Sequence, residues 1–384
     1  MTNLLQGIRV LDLTRLLPGP LCTLYMADQG AEVIKVEDEG AGDYARSEMA
    51  MGVSMSHLFH LLNRQKKSVT LDLREPEGRA ALLRLVEAAD VLVESFRPGV
   101  MDRLGLGSAV LREAKPDLIV CSMTAYGQTG PYRSQPAHDN NMLALTGIAD
   151  QLPRAAGGEI GSPNFQIADI AGGSLTALSS IAMALFRRER TGEGATLDIS
   201  LAEAALAAAV MPLATMQLRG GETPPPGGDM LTGLLPCYRY YETKDGRQIA
   251  MGALEGKFWR AFCEAAGRQD LADKGRDMTR GEGSTHHQTE LLFRSRTFDE
   301  WRALLEGLEA CVTPVLTLSE ALNDPHLEER RVFYDVHDHE DGAIRHVASP
   351  IVVDGKRARP GQPAPRQGEH NEEILGSRTP GAKA

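Results

Sequence analysis

The sequence predicts an α/β chain, with a large domain on a doubly wound, Rossmann-like parallel sheet and then a smaller mixed α+β domain. Three observations carry this. Short apolar β-runs alternate with helical patterns through the first half of the chain, the signature of a parallel sheet covered on both faces. A Gly- and Pro-rich break, RGGETPPPGGD, falls at 219–229, where a linker is expected. Beyond it the alternation gives way to a hairpin and short helices. At 384 residues the chain also exceeds what one hydrophobic core usually organises. The expected division is a large domain at 1–218, a small mixed domain at 219–318, and a return segment and tail at 319–384 packing on the large domain.

Taken in order, IRVLDL (8–13) is a short apolar strand, and LLPGPLCTLYMADQG turns at Pro-Gly-Pro into a helix closed by Gly30. AEVIKVE (31–37) and VTLDL (69–73) are strands, with a helix from Glu75 to Ala89 after the second. DVLVESF (90–96) and DLIVCSMTAYG (117–127) complete the first run. Residues 170–190 read as one long helix with Arg187, Arg188 and Arg190 in its last turn, where cations complement the helix dipole. GEGATLDISLAEAALAAAV is a strand followed by a second helix. After the break, YRYYETKDGRQIAMGA is a hairpin around Lys244-Asp245-Gly246. Helices at 256–267, 288–295 and 298–310 follow, and the tail from 350 is too rich in Pro, Gly and Arg to form a core, so it wraps a neighbouring body.

Composition narrows function. A net charge of −11 leaves no basic face for nucleic acid. The five cysteines are scattered without C-x-x-C spacing, so neither a metal site nor a disulfide framework is expected. No G-x-G-x-x-G follows the first strand and no G-x-x-x-x-G-K-[ST] occurs, which sets aside dinucleotides and nucleoside triphosphates. The amino terminus builds no signal-peptide core. Apolar tracts such as IAMALF (181–186) fall short of a membrane span. A soluble, cytoplasmic protein with no membrane partner is expected.

Four ionisable residues stand out. His138 and Asp139 lie in QPAHDNNMLALTG, Asp169 in NFQIADIAGGS, and Glu255 in IAMGALEGKFW. Taken singly, each has an ordinary role: Asp169 as a helix cap, His138 and Asp139 as a structural pair, Glu255 opening a helix.

Their setting gives them weight. LQGIRVLDLTRLLPGP, GAEVIKVE, NRQKKSVTLDL, DVLVESFRPGVMDRLGLG, MTAYGQTGP and ADIAGGS resemble, in order and spacing, the class III CoA-transferase (CaiB/BaiF) family. The resemblance covers nearly the whole chain. It implies acyl-CoA thioester substrates and an interlocked homodimer, with coenzyme A entering as part of the substrate and no separate cofactor or metal. In the family's transferases the aspartate matching Asp169 is a nucleophile that passes through an aspartyl-CoA thioester. In its racemases that aspartate pairs with a histidine to move the proton alpha to the thioester. HDNNMLALTG, GALEGKF, CVTPVL and DPHLEERRVFY are similar to the racemase branch. Formyl-CoA transferases carry a glutamine where this chain has Leu17. The resemblance thus implies inversion of 2-methylacyl-CoA thioesters by His138 and Asp169, with Glu255 supporting the histidine.

The chemistry agrees with that pairing. Inverting an alpha carbon needs an acid and a base on opposite faces of a planar enolate. Imidazole titrates near neutrality, and a partly buried carboxyl is raised towards it. Gly172 and Gly173 are expected to let the thioester approach the helix amino end closely. For coenzyme A, the resemblance implies contacts from Leu71, Asp72, Leu73, Arg74, Arg97, Arg103, Ala137, Asp139 and Asn140. Lys66 and Lys67 lie in the same segments. Where the family often has an arginine, this chain has Asp38.

Overall fold

In the computed structural model, which describes residues 3–47 and 53–376, six strands form one parallel sheet. They are β1 (Arg9–Leu13), β2 (Glu32–Glu37), β3 (Lys67–Thr70), β4 (Val91–Glu94), β5 (Ile119–Thr124) and β6 (Ala195–Ser200). Their order is β3-β2-β1-β4-β5-β6, that of a doubly wound nucleotide-binding sheet. Val10, Leu11, Val91, Leu92 and Val93 are fully buried, as near-continuous apolar strands require when helices cover both faces. The strand order reverses between β1 and β4, so a crevice opens beyond their carboxyl ends.

The helices that cover the sheet begin with α1 (Pro18–Asp28), α2 (His57–Asn63) and α3 (Pro76–Glu87). α4 (Val100–Arg103), α5 (Ser108–Ala114) and α6 (Asp139–Leu145) follow. Proline in the first turn of α1 and α3 falls where a missing N–H costs the helix nothing. β3 is shorter than the expected 69–73 because Asp72 turns the chain, its Oδ1 accepting the Arg74 N–H at 2.9 Å.

The long helix differs most from expectation. It opens as a π-helix over Ile167–Ser174 and only then becomes α7 (Leu175–Thr191), closed by Gly192 at φ 71°. Its start packs on its neighbour, α8 (Leu201–Ala207). A Cβ on Gly172 would stand 2.7 Å from Leu201 O, and one on Gly173 2.8 Å from Leu201 Cγ. These glycines therefore serve close helix packing. The continuous helix Ile167–Thr191 spans 25 residues and is long and apolar enough to cross a membrane. The short apolar tracts read from sequence did not anticipate this. Here it packs on α1, α8 and β5.

The chain divides into two compact units, Met1–Thr146 with Pro163–Ala208 and Pro325–Ala384, and Gly147–Ser162 with Ala209–Asp324. The second contains α9 (Val210–Leu218), the 219–229 segment, and an antiparallel sheet of β7 (Tyr238–Glu242), β8 (Gln248–Gly252) and β9 (Val312–Pro314). It also holds α10 (Gly256–Ala265), α11 (Thr285–Phe293) and α12 (Phe298–Leu305). α11 starts before residue 288 because Ser284 Oγ caps it, accepting the His287 N–H at 3.2 Å. α12 ends at Leu305, short of 310. Its core is aromatic: Tyr241 and Trp301 lie against Phe293 with ring centroids 4.7 and 4.6 Å away, contacts worth ~1 kcal/mol each beyond burial.

In the return segment, β10 (Phe333–Asp338) and β11 (Gly342–Val347) form a hairpin. The last described helix, Asn371–Leu375, closes the open edge of β3. Asn371 Oδ1 accepts the Thr70 N–H at 2.8 Å, and the His370 N–H reaches Ser68 O at 2.9 Å.

Candidate active site

His138 is the N-cap of α6, in extended backbone at φ −120° and ψ 176°. Its N–H donates to Asn141 Oδ1 at 3.0 Å. The imidazole side is exposed, while Asp139 beside it is buried. Asp139 Oδ1 accepts the backbone N–H of Asp169 at 2.9 Å across 30 residues of chain. The first turns of α6 and of the π-helix are thereby tied together.

That tie changes the chemistry of Asp169. Its carboxyl is pushed up to about 6, by burial first and by the negative charge of Asp139 second, with His138 opposing. A carboxyl so placed gives and takes protons near neutrality. His138, Asp139 and Asp169 thus form one cluster. Glu255 belongs to the second unit, where it is the exposed N-cap of α10. Its carbonyl accepts the Phe258 N–H at 2.9 Å.

Leu71, Asp72, Leu73 and Arg74 line a cavity of 520 Å³ beyond the carboxyl ends of β1 to β3. Arg74 is tied to Asp72 at 2.8 Å and holds that carboxyl down at about 2. Arg97 lines a separate cavity of 270 Å³ among Glu94, Asp102 and Asp198. Burial first, then these neighbouring acids, raises the Glu94 carboxyl. Ala137 is half-buried, and Asn140 and Arg103 are exposed on α6 and α4.

A profile of CoA-transferase family III matches residues 5–371. The chain belongs to this family. It is 35% identical over 378 residues to the human alpha-methylacyl-CoA racemase, covering 97% of this chain and 92% of that protein. It is 34% identical over 390 residues to the succinyl-CoA–D-citramalate CoA-transferase of Chloroflexus aurantiacus, covering 97% and 93%. Among solved structures, a CAIB/BAIF family protein from Brucella suis superposes with a TM-score of 0.83 at 27% identity, covering 97% and 99%.

Two lysines of the NRQKKSVTLDL segment behave differently from the sequence reading. Lys66 does not reach the groove. Its Nζ is buried against Asp12 Oδ2 at 3.0 Å, Thr23 Oγ1 at 2.8 Å and Asn63 Oδ1 at 2.9 Å, and burial lowers it to about 8. Lys67 is held by Glu32 at 3.0 Å and Glu373 at 2.6 Å. Conversely, sequence reasoning missed Arg15, which lines the 520 Å³ cavity. Its place directly beyond the first strand, at the switch point of the sheet, was the signal available.

Proposed function

We propose that this chain is an acyl-CoA racemase or epimerase, inverting the alpha carbon of 2-methylacyl-CoA thioesters by 1,1-proton transfer. The observation that carries the reading is the Asp169 carboxyl, raised to about 6 beside His138 and backed by Asp139. One of the pair removes the alpha proton as a base and the other returns a proton to the opposite face. The alpha carbon loses one proton to give the enolate, and the enolate regains one on its opposite face, with no redox change. Asp139 acts through Asp169 as a positioning residue, fixing its backbone and raising its pKa. Glu255 supports His138 from the small domain of a second subunit, so each site is composite and the active species is a homodimer.

The second reading is CoA transfer between carboxylic acids through an aspartyl-CoA thioester at Asp169. The similarity to the C. aurantiacus transferase, nearly equal to that to the racemase, supports it. One experiment separates them. Incubation with a 2-methylacyl-CoA in deuterium oxide, followed by mass spectrometry, should show deuterium at the alpha carbon and unlabelled protein. CoA esterified to Asp169, with no alpha exchange, would instead assign the chain to the transferases.

A further inference from the structure

The mouth of the 520 Å³ crevice carries a charge pair that bears on which thioesters it accepts. Arg15 Nη2 donates to Asp38 Oδ2 at 2.8 Å, and Arg15 Nη1 donates to Tyr44 Oη at 3.1 Å. The guanidinium lies over the Tyr44 ring, 5.1 Å from its centroid. The other arginine on this crevice, Arg74, is likewise paired, with Asp72. Each cation on the wall is therefore neutralised by its own aspartate.

The pair is built into the fold. Asp38 Oδ1 accepts the N–H groups of Gly40 and Gly42 at 2.9 and 3.2 Å, and Asp38 O accepts from Gln367 Nε2 at 2.8 Å. On the other side, Leu16 adopts φ 63° and its N–H is held by Asp43 Oδ1 at 3.0 Å. A leucine in the left-handed region is strained, and the Asp43 bond holds the backbone that presents Arg15. Asp38 also directly follows β2, the place where sheets of this order meet the ribose of a bound nucleotide. There an acid accepts a ribose hydroxyl, whereas an arginine accommodates a ribose phosphate.

We propose that the Arg15–Asp38 pair makes the groove indifferent to a phosphate on the ribose, so that coenzyme A and its 3′-dephospho form bind alike. The proposal rests on the reading that this groove holds the nucleotide end of a CoA thioester. A phosphate arriving here meets a fixed carboxylate and a cation already engaged. To use Arg15 it must break a charge-assisted bond that it only replaces.

Calorimetry on the full chain with CoA and with 3′-dephospho-CoA tests this. The wild-type affinities should agree within about threefold, and Asp38→Asn should favour CoA by about tenfold, because Arg15 is released. Asn keeps the oxygen that Gly40 and Gly42 need. Should that variant not fold, Arg15→Met serves instead and should favour the 3′-dephospho form by about tenfold, because Asp38 then faces the phosphate without its counter-ion, and equal affinities in that variant would overturn the proposal. A wild-type preference for CoA of about tenfold or more overturns the proposal and leaves the CoA reading standing. Binding of neither ligand overturns the CoA reading and the proposal with it.

Discussion

At the level of single residues, the site turns on a carboxyl held far from its ordinary state. Asp169→Asn and His138→Ala should each lower alpha-proton exchange by about 10²- to 10⁴-fold. CoA-ester affinity, read by calorimetry, should be largely retained. Loss of affinity in step with rate would make them substrate ligands. The same carboxyl predicts a stability effect. Asp169 is raised from 3.8 to about 6, so between those values the native chain keeps a proton that the unfolded chain has lost. Stability due to this group therefore falls as pH rises through that window. Asp169→Asn should melt a few degrees above wild type at pH 8, and the gap should close towards pH 4. A gap independent of pH would detach the carboxyl from this account. The residue types of the cluster were legible in HDNN and ADIAGG. The Asp139–Asp169 bond was not, because it joins positions 30 apart that only folding brings together.

Among the elements, the π-helix is the least expected. A repeat of 3.6 residues reads 170–190 as one helix and carries no mark for a wider turn at its start. At that start Gly172 packs against the backbone of α8 and Gly173 against a side chain. The two alanine variants should therefore differ. A methyl on Gly172 meets Leu201 O, which cannot yield, and should cost about 1–3 kcal/mol with loss of activity. A methyl on Gly173 meets the Leu201 side chain, so Leu201→Ala should partly rescue Gly173→Ala and leave Gly172→Ala unrescued. Equal rescue in urea unfolding would contradict this geometry. The strands were easier to read, because VLVE and RVLDL are apolar on both faces. Their ends were less so: VTLDL stops early because an aspartate side chain captures the next turn.

For the whole molecule, the class of fold was legible from alternation, whereas the order of the strands was not, since each partner choice is made in three dimensions. Large apolar side chains remain exposed on the first unit: Met183 at 64% and Phe186 at 66% on α7. A second copy of the chain is proposed to cover them. Light scattering over a wide concentration range should find only dimer, since an interlocked pair cannot part without local unfolding. A stable monomer with undiminished activity would remove both the dimer and the composite site that needs Glu255 from a partner. Met183→Glu with Phe186→Glu should abolish the dimer and, with it, exchange activity.

The helix that closes the β3 edge has a consequence for how the chain is made. Ser68 and Thr70 leave the ribosome some 300 positions ahead of the His370 and Asn371 that pair with them. At about 5–20 residues per second, that is an interval of roughly 15–60 s. Throughout it the nascent sheet offers an open strand to any other chain nearby. Truncation before residue 366 should therefore leave a product that a holdase binds and that aggregates when released. The completed polypeptide would escape both fates.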